Sequence, residues 1–215
     1  VSDADRRLDW TTFADRVGRV SSLLQSEGIQ AGERVAFLLR NRTAALEVLF
    51  GTARMGGTCL PVNLRLTARE IAFQIDDCRP AAIFFESDLR PLIEETLSLA
   101  SHAPVLQVAV GGPHAAYEVA LDRASEATAA VAVSLNTPAI LMYTSGTTGA
   151  PKGALLPHRK ALYNARNAVH GFQIKSDDRV LVAAPLFHSL GLQILSLPLL
   201  YAGGSLLLQE RFEPE

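Results

Sequence analysis

Leu141 to Lys160 reads LMYTSGTTGAPKGALLPHRK. An apolar run stops abruptly at Thr144, and residues 144–153 are almost only Thr, Ser, Gly and Pro, with one cation, Lys152. Apolar residues then resume. Glycines let backbone N–H groups converge on one point without a Cβ in the way. Successive N–H groups form a concavity that binds anions. Ser and Thr hydroxyls add donors, and a lysine adds a point charge suited to phosphate. Each hydrogen bond to a charged group contributes about 1.5–3 kcal/mol, so several together hold a polyphosphate. The alternative is a Gly/Ser/Thr linker. A linker does not usually sit between two apolar strands and end in Pro-Lys-Gly. The common nucleotide P-loop is excluded, because it needs Gly before Lys and Ser or Thr after it. Here Pro151 precedes Lys152 and Gly153 follows. No G-x-G-x-x-G is present either, so a dinucleotide fingerprint has no support.

Working outward, TPAILMY before the loop reads as a buried strand and GALLP after it as a second one. Residues 159–170 read as a helix and RVLVAAP as a strand. On the other side, residues 10–27 form an amphipathic helix, with Phe13, Val17, Val20, Leu23 and Leu24 on one face. Thr12 and Asp15 suggest its capping box, and Gly28 its stop. RVAFLLR is a strand, residues 43–55 a helix, and TCLPV a strand. Thr67 and Glu70 make a capping box that opens a helix to Cys78. AAIFF is a strand, 89–101 a helix and VLQVAV a strand. Continuous apolar strands alternating with helices indicate an α/β fold, with a mainly parallel sheet covered on both faces. Residues 111–136 are rich in Ala and Glu. They read as a surface connection with a helix over 115–124, dividing the chain into sub-units 1–135 and 136–215. Ligands in such sheets bind at the carboxyl ends of strands, which is where the Gly/Thr loop falls.

The composition is that of an ordinary globular chain: 215 residues, 48% hydrophobic and 20% charged. A formal charge of −2 gives no global pull toward nucleic acid or anionic lipid. Cys59 and Cys78 have no CxxC partner or His pair near them, so zinc and a disulfide framework are set aside in favour of two reduced core thiols. VSDADRRLDW is too polar for a signal peptide, and the expected location is cytoplasmic. The chain opens without Met, inside what reads as a hairpin, so residues are expected before Val1. Residues 189–208 carry no charge over a length that can span a bilayer. Gln193, Pro198 and Gly203-Gly204 argue instead for a helix, a stop and the strand SLLLQ.

YTSGTTGAPKG, Tyr143 to Gly153, resembles the phosphate-binding signature of adenylate-forming enzymes: acyl-CoA synthetases, peptide-synthetase adenylation domains and beetle luciferases. The resemblance covers nearly the whole chain. DWTTFADRVGRVSSLLQSEGIQAGERVAFLLRN is similar to the family's opening helix and strand. ARMGGTCLPVNLRLTAREI and APLFHSLGL, Ala184 to Leu192, resemble later segments, and AGGSLLLQERFEPE resembles the exit strand. The resemblance implies an incomplete large N-terminal domain and a two-step reaction. A carboxylate attacks the α-phosphorus of MgATP to give an acyl-adenylate and pyrophosphate, and a thiol, usually that of CoA, then displaces AMP.

By the same resemblance Thr144, Ser145, Gly146, Thr147, Thr148 and Gly149 wrap the β- and γ-phosphates. Lys152 neutralises them, and Thr144 lies near the magnesium ion. His188 orients or gates the substrate carboxylate, which needs no base because it is already ionised. Leu190 and Leu192 belong to the acid pocket. Pro157 stands where the family often has Ser before His158, so the usual hydroxyl cap is lost. His102, His114 and His170 read as surface residues.

PLFHSLGL carries no Asp to hold an amino group, which favours fatty or aromatic acids. An amino-acid substrate, a carrier protein as acceptor, and a non-enzymatic nucleotide- or partner-binding module remain open. Family members are roughly twice this length or more. The segments that hold adenine and ribose, the hinge and the small C-terminal domain with its lysine are absent from the sequence. The expectation is therefore a fragment inactive alone, with an unfinished sheet whose apolar surface promotes self-association.

Overall fold

The computed structural model describes residues 1–112, 116–125, 129–144 and 151–210. Helix α1 (Trp10–Ser26) leads into strand β1 (Arg34–Leu38), then α2 (Thr43–Arg54), β2 (Thr58–Pro61), α3 (Ala68–Cys78) and β3 (Ala82–Glu86). A 3-10 turn (Ser87–Leu89) precedes α4 (Arg90–Leu99), followed by β4 (Leu106–Val110), α5 (Ala116–Arg123), β5 (Pro138–Thr144), β6 (Lys152–Pro157) and α6 (His158–Phe172). β7 (Arg179–Val182), a π-helical turn (Leu190–Ser196), α7 (Leu197–Ala202) and β8 (Ser205–Leu208) complete the order.

Six strands form one sheet in the order β4-β3-β1-β2-β5-β6. The first five are parallel, and β6 runs antiparallel beside β5 at the edge. The sheet draws strands from both sides of residue 135. β7 and β8 form a separate parallel pair. Side chains alternate between the two faces of a strand, and both faces here are apolar. Val35, Phe37, Ala82 and Phe84 point into the core under α1, α2, α5 and the second sheet. Ala36, Leu38, Ile83 and Phe85 point into the core under α3 and α4. This double burial is why each strand reads as an unbroken apolar run.

Three local expectations are corrected. α1 is capped by Asp9, whose Oδ1 accepts from the Thr12 N–H at 2.7 Å. With the helix starting at Trp10, Thr12 is already inside its first turn, and Asp15 pairs instead with Arg19. Residues 111–136 are more than a surface connection. Tyr117 and Leu121, one helical turn apart on α5, are each 1% exposed. Tyr117 meets Phe84 edge-on, and its hydroxyl donates to Glu47 at 2.6 Å. The helix ends also fall slightly short of expectation: α2 stops at Arg54 and α4 at Leu99. The capping box of Thr67 and Glu70 is present as expected.

Residues 189–208 form the π-turn, α7 and β8. Among the described residues no helix is long and apolar enough to cross a membrane. At the other end, Ser2 and Arg7 bridge as an antiparallel pair, and Ser2 also lies alongside Leu207 of β8.

Candidate functional site

The carboxyl end of the parallel sheet is built by β5 and its antiparallel neighbour. Thr144, the last residue of β5, is the register partner of Lys152, the first of β6. The two anchors of the Gly/Thr loop therefore stand side by side at the mouth of a hairpin, and both are exposed. Ser145, Gly146, Thr147, Thr148 and Gly149 lie outside the described residues.

Below the mouth, Tyr143 is the partner of Gly153. A Cβ at Gly153 would sit 2.9 Å from Leu141 Cδ1 and 3.4 Å from Tyr143 Cζ, so Gly lets these side chains lie across the strand. The Tyr143 hydroxyl donates to Asp77 at the end of α3. Burial, with the Asp77 carboxylate adding to it, holds the phenol proton well above its ordinary range. The neck is thus pinned to the α3 side of the sheet.

The second part comes from the connection between β7 and β8. The His188 N–H donates to the Pro185 carbonyl at 3.0 Å, closing a turn. His188 is exposed, and its Nδ1 accepts from the Leu190 N–H at 3.3 Å. With Nδ1 accepting, the proton of the neutral ring sits on Nε2. Leu190 is 46% exposed, whereas Leu192 is 1% exposed and packs into the core. The π-turn twists one residue out of helical phase, a feature frequent at functional sites.

Gln193 joins the two parts. Its Nε2 donates to Met142 Sδ on β5 at 3.0 Å. Its Oε1 accepts from Lys160 of α6, and its carbonyl accepts from Asn164 at 2.7 Å. The segment following His188 is therefore fastened two residues from the loop's first anchor. Sequence reasoning missed Gln193, Lys160 and the Asp77–Tyr143 contact. Gln193, a polar residue in an uncharged apolar stretch, was the visible signal.

His158 opens α6. Pro157 provides no side-chain cap, as expected. The first helical N–H groups are satisfied from elsewhere: His158 donates to Thr137 O at 3.0 Å and Arg159 to Leu135 O at 2.8 Å. His158 Nε2 is buried without a partner among the described residues, and burial lowers the ring's pKa. His102 contacts the Pro80 carbonyl, His170 is exposed, and His114 lies outside the described residues.

The chemistry of the mouth fits a polyphosphate: an exposed ammonium and a hydroxyl side by side where parallel strands end. Among the described residues no group of three His, Cys, Asp or Glu side chains is placed to hold a metal ion. Among the described residues of the mouth Thr144 offers one neutral oxygen toward a magnesium ion, whose preferred ligands include phosphate oxygens.

The AMP-binding enzyme family model matches residues 1–215. The chain is 34% identical over 207 residues to a feruloyl-CoA synthase of Amycolatopsis sp., covering 96% of this chain and 40% of that protein. It is 34% identical over 215 residues to an indoleacetate–CoA ligase of Aromatoleum aromaticum, covering 98% and 42%. The structure of ATP-bound MatB from Rhodopseudomonas palustris superimposes with a TM-score of 0.86 at 30% identity, over 99% of this chain and 42% of that one. The chain spans about 40% of the length of the curated relatives it matches. A phosphate-type hairpin mouth at the end of a mainly parallel sheet, tied to a His-bearing turn and matched from end to end by one family model, places this chain in the AMP-binding enzyme family.

Proposed function

We propose that this chain supplies the phosphate loop and one wall of the acid pocket of an ATP-dependent acid–CoA ligase acting on an aromatic or fatty acid. The observation that carries the reading is the hairpin mouth, with Lys152 and Thr144 adjacent and exposed at the strand ends. Lys152 neutralises the terminal phosphates of ATP, with the loop from Thr144 to Gly149 around them. ATP supplies the activating adenylyl group, and CoA the accepting thiol. His188 orients the acid carboxylate from its exposed turn. Leu190 presents the apolar surface to the acid, and Leu192 supports that wall from the core side. Neither PLFHSLGL nor the rest of the turn offers a carboxylate for a substrate amino group, which favours a simple acid over an amino acid. The chain spans about 40% of its relatives' length, so we infer that its 215 residues bind nucleotide without completing ligation alone.

The test is MgATP binding by calorimetry, with pyrophosphate exchange across fatty, aromatic and amino acids. Losing one charged hydrogen bond of about 1.5–3 kcal/mol predicts that Lys152→Ala weakens MgATP binding roughly 10- to 150-fold. Equal binding by parent and variant would refute the assignment.

The same reading predicts self-association. Leu181 and Leu207 are register partners on the outer face of β7–β8, 56% and 51% exposed. An exposed apolar face on a two-stranded sheet recruits further chains. Light scattering that stays monomeric with rising concentration would count against it.

A further inference from the structure

We propose that Asn41 is the positioning residue for the acid side of this site, fixing residues 184–188, and with them His188, against the end of the first sheet. The proposal rests on the functional reading of His188 above and deepens it.

Asn41 is 5% exposed and sits just after β1. β2 lies on one side of β1 and β3 on the other, so this is the point where the strand order turns. Its side chain reaches across to the second sheet. Nδ2 lies within hydrogen-bond distance of Ala184 O at 2.9 Å, Gln209 O at 3.0 Å and Val182 O at 3.2 Å, its two hydrogens shared among the three. Oδ1 accepts from the Leu186 N–H at 2.8 Å. These partners are 141–168 residues away along the chain.

The pattern is specific to where it grips. Val182 ends β7, and Gln209 follows β8 and donates to Val182 O at 3.0 Å. Ala184 and Leu186 flank Pro185, whose carbonyl receives the His188 N–H. One carboxamide therefore holds the carboxyl ends of both strands of the second sheet and both sides of the residue that anchors the His188 turn. The flanking residues hold Asn41 itself in place. The Arg40 N–H donates to Glu86 Oε1 at 2.9 Å, and the Arg42 guanidinium lies 3.1 Å from the same carboxylate. Both clamp the segment to β3.

Only an amide does this. An Asp of the same shape would aim a second oxygen at three carbonyl oxygens, and among the described residues the donor that meets this side chain is the Leu186 N–H. Buried polar groups left unpaired are costly; Val182 O keeps the Gln209 N–H, but the Ala184 and Gln209 carbonyls lose the Asn41 donor.

The experiment is NMR on the 15N-labelled chain. In the parent, the Leu186 amide should exchange slowly, and the ring shifts of neutral His188 should be those of the Nε2–H tautomer. Asn41→Ala, which removes the acceptor of the Leu186 N–H, should speed Leu186 exchange roughly 2- to 10-fold, the range that one ordinary hydrogen bond represents, whereas Asn41→Asp keeps that acceptor and loses only the donor to the carbonyls. Both should move the His188 ring shifts. Leu24→Ala, a core truncation in α1, serves as the control for mere loss of stability and should leave the His188 signals in place. Unchanged His188 signals in both Asn41 variants, or equal movement in the control, overturn the proposal. If neither variant folds, exchange in the parent decides. A Leu186 amide as fast as exposed amides overturns the proposal, and a protected one supports it. Titration of the parent with MgATP and benzoate separately tests the functional reading, and its failure leaves the ring and exchange results standing.

Discussion

Gly191→Ala is the substitution whose cost the structure sets most directly. A Cβ at Gly191 would stand 2.4 Å from the Ala184 carbonyl oxygen and 2.4 Å from that of Pro185. Both obstacles are backbone, so no side-chain rotation relieves them. The backbone angles at Gly191 are ones any residue adopts, so the cost is space alone. Overpacking of this kind costs about 1–3 kcal/mol, and two rigid neighbours place it near the top of that range. For a chain of this size, about 3 kcal/mol lowers the melting temperature by roughly 6–12 °C.

Gly171, inside α6, is the matched control, because nothing lies within 4 Å of its would-be Cβ. Gly171→Ala relieves the entropy cost of glycine in a helix and should stabilise by about 0.5–1 kcal/mol. Urea unfolding with unchanged m-values measures both. The two substitutions are chemically identical and should have opposite signs. If Gly191→Ala unfolds within about 0.5 kcal/mol of the parent, the span that one surface substitution rarely exceeds, the close approach of the π-turn to residues 184–185 is refuted.

Two more outcomes follow from buried charge. Glu47 is 0% exposed and binds Arg16 through both oxygens, at 2.8 and 3.1 Å, while also accepting from Tyr117. Glu47→Ala should cost about 2–4 kcal/mol in urea unfolding, because a largely buried guanidinium loses its buried partner and keeps only Glu118, while the Tyr117 hydroxyl loses its acceptor. Glu118→Ala, removing the third-exposed partner of the same arginine, should cost about 1 kcal/mol or less, and equal losses would refute the contrast. His158 has its pKa lowered by burial from an ordinary 6.5. The unfolded chain then binds more protons than the folded one below that value, so stability falls as pH drops from about 6.5 toward the folded pKa. His158→Asn should flatten this part of the stability–pH curve, and an unchanged slope would show that the ring is not desolvated.

Much of the fold was legible because local rules decided it. Double burial made β1 and β3 unbroken apolar runs, and Thr67 with Glu70 wrote its own cap. α5 was harder, since an Ala- and Glu-rich segment needs only Tyr117 and Leu121 to dock, and two residues make a weak pattern. The cap of α1 was misread because Asp9 and Thr12 both fit the composition of a cap. Only the start of the helix chooses between them. The loop composition and the His188 turn were visible in the chain. How they come together was not, because Gln193 reaches Met142 across 51 residues and no periodicity encodes such a contact.

By itself, then, the sequence determined the alternation of strands and helices, the phosphate-type loop and the family resemblance. All three are written in short stretches whose physics is local. The tertiary structure decided the antiparallel edge that sets Thr144 beside Lys152, the tie of that mouth to the His188 turn, and the grip of Asn41 on the second sheet. Those are contacts between groups far apart in the chain, and they exist only once the two sheets have packed and excluded the water that would otherwise satisfy the same polar atoms.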